Sequence, residues 1–142
     1  MKKLFPQLLV LLALAVIPAA GSALFHPRKP LWNEVEEVPG PGEVLLQTAQ
    51  EWGGKVLWLD ARTKAEYIPA HIPGAMPLNE DDWDTLLPRV LAVWNKDRIV
   101  VVYCSRSCNA SKEVAGRLRE DVQLPQVYVL KGGWESWLAE KK

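Results

Sequence analysis

The sequence predicts an α/β fold built on a central parallel sheet, and three observations lead there. Short apolar runs alternate with stretches of helical spacing from Lys55 to the end of the chain. Such alternation marks parallel strands joined by crossover helices that cover both faces of the sheet. The run Ile99-Val-Val-Val-Tyr103 is apolar at every position, as in a strand buried on both sides. Cys104 follows that run directly, and ligands in open α/β sheets bind at the carboxyl ends of strands.

The N-terminal 25 residues form a separate object. Lys2 and Lys3 precede an apolar stretch from Leu8 to Ile17, followed by Pro18 and the small residues Ala19 to Ala23. That order reads either as a secretory signal cut near Ser22 or as an uncleaved anchor from about Leu8 to Phe25, roughly the minimum span for a bilayer. A buried core helix is the plainest alternative. Lys2 and Lys3 place the N-terminus inside and the domain outside, whereas Arg28 and Lys29 oppose that orientation. The chain is therefore expected to be exported or membrane-tethered, in the periplasm or on the outer face of the inner membrane. The alternative is an anchored domain in the cytoplasm. Residues 26–42, rich in Pro and charge, read as a linker, and 43–142 as one domain.

Within that domain Val44, Leu45 and Ala49 have helical spacing from Glu43 to Trp52, and Gly53-Gly54 stops the helix. Lys55 to Asp60 is a short buried strand. Thr63 can N-cap a helical turn through Tyr67. Pro69 and Pro73-Gly74 mark a loop, and Ala75 to Leu78 a brief strand. A helix runs through Trp83, Leu86, Leu87, Val90, Leu91 and Trp94, with Pro88 bending it or marking its first turn. After Ile99–Tyr103 and the cysteine loop, Val114, Ala115 and Leu118 form one stripe of a helix to about Glu120. Val127 to Leu130 is the next strand, Gly132-Gly133 a turn, and Trp134 to Ala139 the last helix.

Composition narrows the chemistry. Hydrophobic residues make up 49% and charged residues 24%, which suits a globular core, and the net charge of zero carries no nucleic-acid footprint. Two cysteines cannot form a disulfide framework, and neither histidine has zinc spacing to them, so no metal or cofactor is expected. Cys104 and Cys108 lie four residues apart, between a strand end and a helix start. Loop N–H groups and the helix N-terminus there should favour a thiolate. The place suits sulfur chemistry on an anion.

Three segments now carry a resemblance. Asp60-Ala-Arg62 with Glu66-Tyr67 and Ala70-His-Ile-Pro-Gly-Ala75 is similar to the first signature of the rhodanese domain. Tyr103-Cys104 with its six-residue loop, and Val127-Tyr-Val-Leu-Lys-Gly-Gly-Trp134, resemble the other two. The resemblance covers about residues 43 to 139. It implies a rhodanese-like three-layer α/β/α fold and a sulfurtransferase whose cysteine becomes a persulfide. It assigns Cys104 as the nucleophile, attacking a sulfane sulfur of thiosulfate or a persulfide and passing it to a thiol or cyanide. Cys108 would be a resolving thiol, as in rhodanese-like loops with paired cysteines. Ser105, Arg106, Ser107 and Asn109 would line the substrate mouth. Many rhodanese loops carry Gly and Arg where Ser107 and Asn109 stand here.

Asp60 and Arg62 read as structural support, an Asp at a strand end accepting loop N–H bonds and pairing with the Arg. His71 reads as a loop residue rather than a base, and Trp134 and Trp137 as packing. The expected partners are a small sulfur donor and a thiol acceptor, including a protein thiol, with no nucleic acid and with the membrane only through the N-terminal segment. The competing function is a thiol–disulfide or persulfide-reducing protein using both cysteines. A phosphatase would need an Arg where Ala110 stands, and a binding module would not need the thiol.

Overall fold

The structure, a computed structural model, describes residues 38–141. The signal-or-anchor segment and the linker up to residue 37 lie outside them. No helix among the described residues is long and apolar enough to cross a membrane.

In chain order the elements are β1 (Glu43–Val44), α1 (Leu46–Glu51), a 3-10 turn (Gly53–Lys55), β2 (Val56–Asp60), α2 (Lys64–Tyr67), β3 (Met76–Pro77), α3 (Trp83–Val93), β4 (Ile99–Tyr103), α4 (Ala110–Glu120), β5 (Val127–Leu130) and α5 (Gly133–Glu140). The five strands form one sheet in the order β1-β5-β4-β2-β3. Every pairing is parallel.

β4 is central, paired with β2 from Ile99 to Tyr103 and with β5 from Val100 to Val102. Its alternate side chains serve two cores. Val100 and Val102 pack with Leu59, Val90, Val114, Leu118 and Val129 on the side covered by α3 and α4. Val101 and Tyr103 pack with Leu46, Ala49, Val56 and Leu130 on the side covered by α1 and α5. Six of the seven tryptophans belong to these layers, Trp94 packing against the first core. Trp83 is in the first core, and Trp52, Trp58, Trp134 and Trp137 flank the second.

Three local features differ from the sequence reading or refine it. The helix expected from Glu43 begins at Leu46, because Glu43 and Val44 pair with Val129 and Leu130 as an edge strand. Two residues are too short to show a period, so only the neighbour strand defines them. Pro88 lies inside α3. It sits on the exposed face, as does Asp84 one turn earlier, so water can take up the carbonyl that proline leaves without a donor. Pro77 sits in β3, an edge strand bonded to β2 alone, where a missing N–H costs no ladder bond on the open side.

Candidate active site

The central strand delivers Cys104 to the carboxyl edge of the sheet. The loop Ser105 to Asn109 then turns back on itself, its Cys108 N–H donating to the Ser105 carbonyl at 3.0 Å. α4 begins at Ala110 with Asn109 as its N-cap, and the Asn109 carbonyl accepts from Lys112 and Glu113. Cys104 is 2% exposed, whereas Cys108 is exposed, and both are free thiols.

A cavity of about 200 Å³ opens on this loop, lined by Cys104 to Asn109 together with Glu43, Ser111, Lys112 and the turn Lys131-Gly132-Gly133. The four loop residues singled out from the sequence, Ser105, Arg106, Ser107 and Asn109, all line it. Its charge is mixed. Arg106, Lys112 and Lys131 bring positive charge, and Glu43 lies 3.6 Å from Lys112. The Gly40 amide, against some desolvation, holds the Glu43 carboxyl below the usual range, helped by Lys112 and Lys131.

The surroundings of Cys104 correct one expectation. A cradle of loop N–H groups around the sulfur is absent among the described residues. The Sγ atom lies 3.2 Å from the Ser105 carbonyl and 3.0 Å from the Cys108 carbonyl, both of which can accept its S–H. Two of the loop N–H groups, those of Arg106 and Cys108, are engaged elsewhere, as is that of Ala110 at the start of α4. Arg106 donates to Glu135 Oε2 at 2.7 Å, Ala110 donates to Cys108 Sγ at 3.3 Å, and Cys108 closes the loop. What does support a thiolate is Ser111 in the first turn of α4, through its N–H and through its hydroxyl at 3.1 Å. Burial outweighs it. Burial and the nearby Cys108 thiol push the Cys104 thiol above its ordinary value.

A testable consequence concerns pH. Alkylation of Cys104 by iodoacetamide should be slow at neutral pH and should accelerate only above the range of a free thiol. Ser111→Ala should slow it further by roughly threefold to tenfold, as expected for the loss of one hydrogen bond to the anion. Peptide mapping across a pH series checks this. Faster labelling of Cys104 than of exposed Cys108 at neutral pH would contradict it.

The floor of the loop is built from a buried ion pair. Asp60 ends β2 and is fully buried, and Arg62 is 6% exposed. Arg62 Nη2 donates to Asp60 Oδ2 at 2.7 Å, its Nε to Oδ1 at 3.0 Å, and its backbone N–H to Oδ1 at 2.9 Å. Nη2 also donates to the Ala70 carbonyl at 2.8 Å. The guanidinium lies 4.5 Å from the ring centre of Trp134, which stacks near Tyr103. Tyr103 in turn accepts the Ile72 N–H at 3.0 Å. These bonds tie the ends of β2 and β4, the Ala70–Ile72 loop and α5 into one unit beneath Cys104. His71 stacks on Tyr67 with ring centres 4.1 Å apart, and its Nδ1 lies 2.9 Å from the Tyr67 carbonyl, away from the cavity lining.

Several residues of the site were not singled out by the sequence reading. Glu43, Ser111, Lys112 and Lys131 line the cavity. Glu66 of α2 accepts the Ser105 hydroxyl at 3.2 Å while closing a capping box with Thr63, and Glu135 of α5 accepts the Arg106 amide. Of these only Ser111 and Lys112 had a local signal, their place in the first turn of α4 after the loop. The others arrive from separate elements.

The comparisons with known proteins agree with this geometry. The family profile for the rhodanese-like domain matches residues 45–140. The chain belongs to the rhodanese-like domain family. Its fold matches the Alr3790 protein of Anabaena sp. at a TM-score of 0.55 with 30% identity, over 67% of this chain and 71% of that one. It also matches the human single-domain sulfurtransferase TSTD1 at a TM-score of 0.56 with 18% identity, over 72% of this chain and all of that one. That likeness speaks for the rhodanese fold. Among curated proteins, the M-phase inducer phosphatase 3 of Bos taurus is 30% identical over 95 residues, 58% of this chain. The rhodanese-like chain spans only 20% of that phosphatase.

Proposed function

We propose that this rhodanese-like domain is a sulfurtransferase carrying sulfane sulfur on Cys104, and that an N-terminal export or anchor segment places it outside the cytoplasm. The observation that carries the catalytic reading is the position of Cys104. The thiol ends the central strand, beside the first turn of α4, against a cavity with three cations. After the thiol gives its proton to solvent, the Cys104 thiolate attacks the outer sulfur of thiosulfate. The donor S–S bond breaks, sulfite leaves with the electron pair, and Cys104 holds a persulfide anion. A thiolate or cyanide then attacks the outer sulfur, restoring the Cys104 thiolate. This is covalent catalysis in two half-reactions with ping-pong kinetics.

Peptide mass analysis after exposure to thiosulfate tests the reading. One added sulfur atom should appear on the Cys104 peptide and disappear on addition of cyanide. No adduct from thiosulfate or from an organic persulfide would sink it.

A second reading, dithiol redox chemistry, is favoured by the closeness of the two cysteines, the Cys108 carbonyl lying 3.0 Å from Cys104 Sγ. If Cys104 carries a protonated persulfide, the Cys108 thiolate can attack its inner sulfur. Hydrosulfide then leaves, and a Cys104–Cys108 disulfide remains for an external reductant. Cys108→Ser should keep transfer to cyanide within about threefold and lose reductant-coupled sulfide release, because only the second reaction needs a resolving thiolate. Unchanged sulfide release in that variant would leave the plain sulfurtransferase. Phosphate-ester hydrolysis is the weaker reading. The position where such loops end in Arg is Ala110, the first residue of α4.

A further inference from the structure

The cysteine loop is gripped from both sides by carboxylates that belong to other elements. Glu66 holds the Ser105 hydroxyl, and Glu135 Oε2 holds the Arg106 backbone N–H at 2.7 Å. The second contact engages the main-chain N–H of a cavity-lining residue, Arg106, from a carboxylate that lies outside the lining. A main-chain N–H near the mouth of an anion site is a ready ligand for a sulfonate oxygen. Here that amide is engaged by an anion that α5 supplies. Because Glu135 is tethered to the fold, it competes at high effective concentration with a diffusing anion. It also sets a negative charge against the main chain of the loop at Arg106. The remaining cations of the cavity are partly engaged, Lys112 with Glu43 at 3.6 Å and Lys131 with the Val38 carbonyl at 2.6 Å.

We propose that Glu135 is a specificity-determining residue that biases the site against oxyanion donors and towards organic persulfides. The proposal rests on the sulfurtransferase reading of Cys104 and names its donor class. Thiosulfate carries two charges and needs N–H partners for its sulfonate oxygens. An organic persulfide carries at most one charge and no such oxygens, so it meets neither the competition nor the full repulsion. The transfer step itself is the same for both. The Cys104 thiolate takes the outer sulfur, and sulfite or a thiolate leaves with the electrons of the broken S–S bond.

The test compares thiosulfate with 2-hydroxyethyl persulfide as donors for wild type and Glu135→Gln, measuring Cys104 persulfide formation by peptide mass and initial rate. The glutamine keeps the side chain's size but is a neutral and weaker acceptor for the Arg106 amide, so both the charge and the competition fall. The wild type should load faster from the persulfide. In Glu135→Gln, kcat/KM for thiosulfate should rise by roughly tenfold, mainly through KM, with less than about a threefold change for the persulfide. The difference between donors should shrink in high salt, because the carboxylate is partly solvent-exposed and screened. Equal changes for both donors, or a loss with thiosulfate, would overturn the role of Glu135 while Cys104 still loads. Failure of both donors to load wild-type Cys104 would overturn the sulfurtransferase reading, and this proposal with it.

Discussion

Cys104→Ser is expected to lower sulfur transfer by about a thousandfold or more, because the step that forms the persulfide is lost rather than slowed. A serine hydroxyl at this buried position does not ionise in any accessible pH range, and an oxygen cannot hold a sulfane sulfur as a persulfide. The fold should survive, since serine differs from cysteine by one atom. The new hydroxyl also finds the partners that the thiol has now, the Ser105 and Cys108 carbonyls and Ser111 Oγ. The measurement is thiocyanate formation from thiosulfate and cyanide, alongside the thermal melting curve. A folded variant with turnover close to wild type would remove Cys104 from the mechanism.

Gly133→Ala is expected to cost on the order of 3 kcal/mol of stability or more, through a steric clash added to left-handed backbone strain. Gly133 has φ +55, and a Cβ there would stand 2.1 Å from the Cys104 carbonyl oxygen. The clashing atom is main chain, so no side-chain rotation relieves it. That same carbonyl accepts the Trp134 N–H at 2.8 Å, which pins the start of α5 to the end of β4. The substitution therefore pushes on the residue that bears the nucleophile. Whatever fraction remains folded should load sulfur slowly, because the Cys104 backbone must move to admit the methyl group. Urea unfolding and persulfide loading of the same preparation measure both effects. A loss of less than about 1 kcal/mol with normal loading would show that the turn yields easily. Gly54→Ala is the internal control, since a Cβ there meets nothing within 4 Å and its φ is not in the left-handed region.

The rhodanese-like fold was legible because its signals are local. The β4 run, the helical stripe of α4 and the glycine pair at the start of α5 each declare themselves within ten residues of chain. Cys104 was legible for the same reason, since strand end and helix start are adjacent in sequence. β1 was not, because Glu43 and Val44 become a strand only through hydrogen bonds to β5, more than eighty residues away.

The electrostatics of the thiol divide along the same line. Residue types and spacing determined by themselves that a cysteine would sit beside the N-terminus of α4, and Ser111 does reach its sulfur there. Which groups the loop turns towards that sulfur was decided only in three dimensions. The Arg106 amide went to a carboxylate on α5, the Ser105 hydroxyl to one on α2, and two carbonyls were left facing Cys104. The physical reason is that helix-start geometry is a short-range property of the chain. The direction of each loop N–H, in contrast, depends on which acceptors the neighbouring elements bring within about 3 Å.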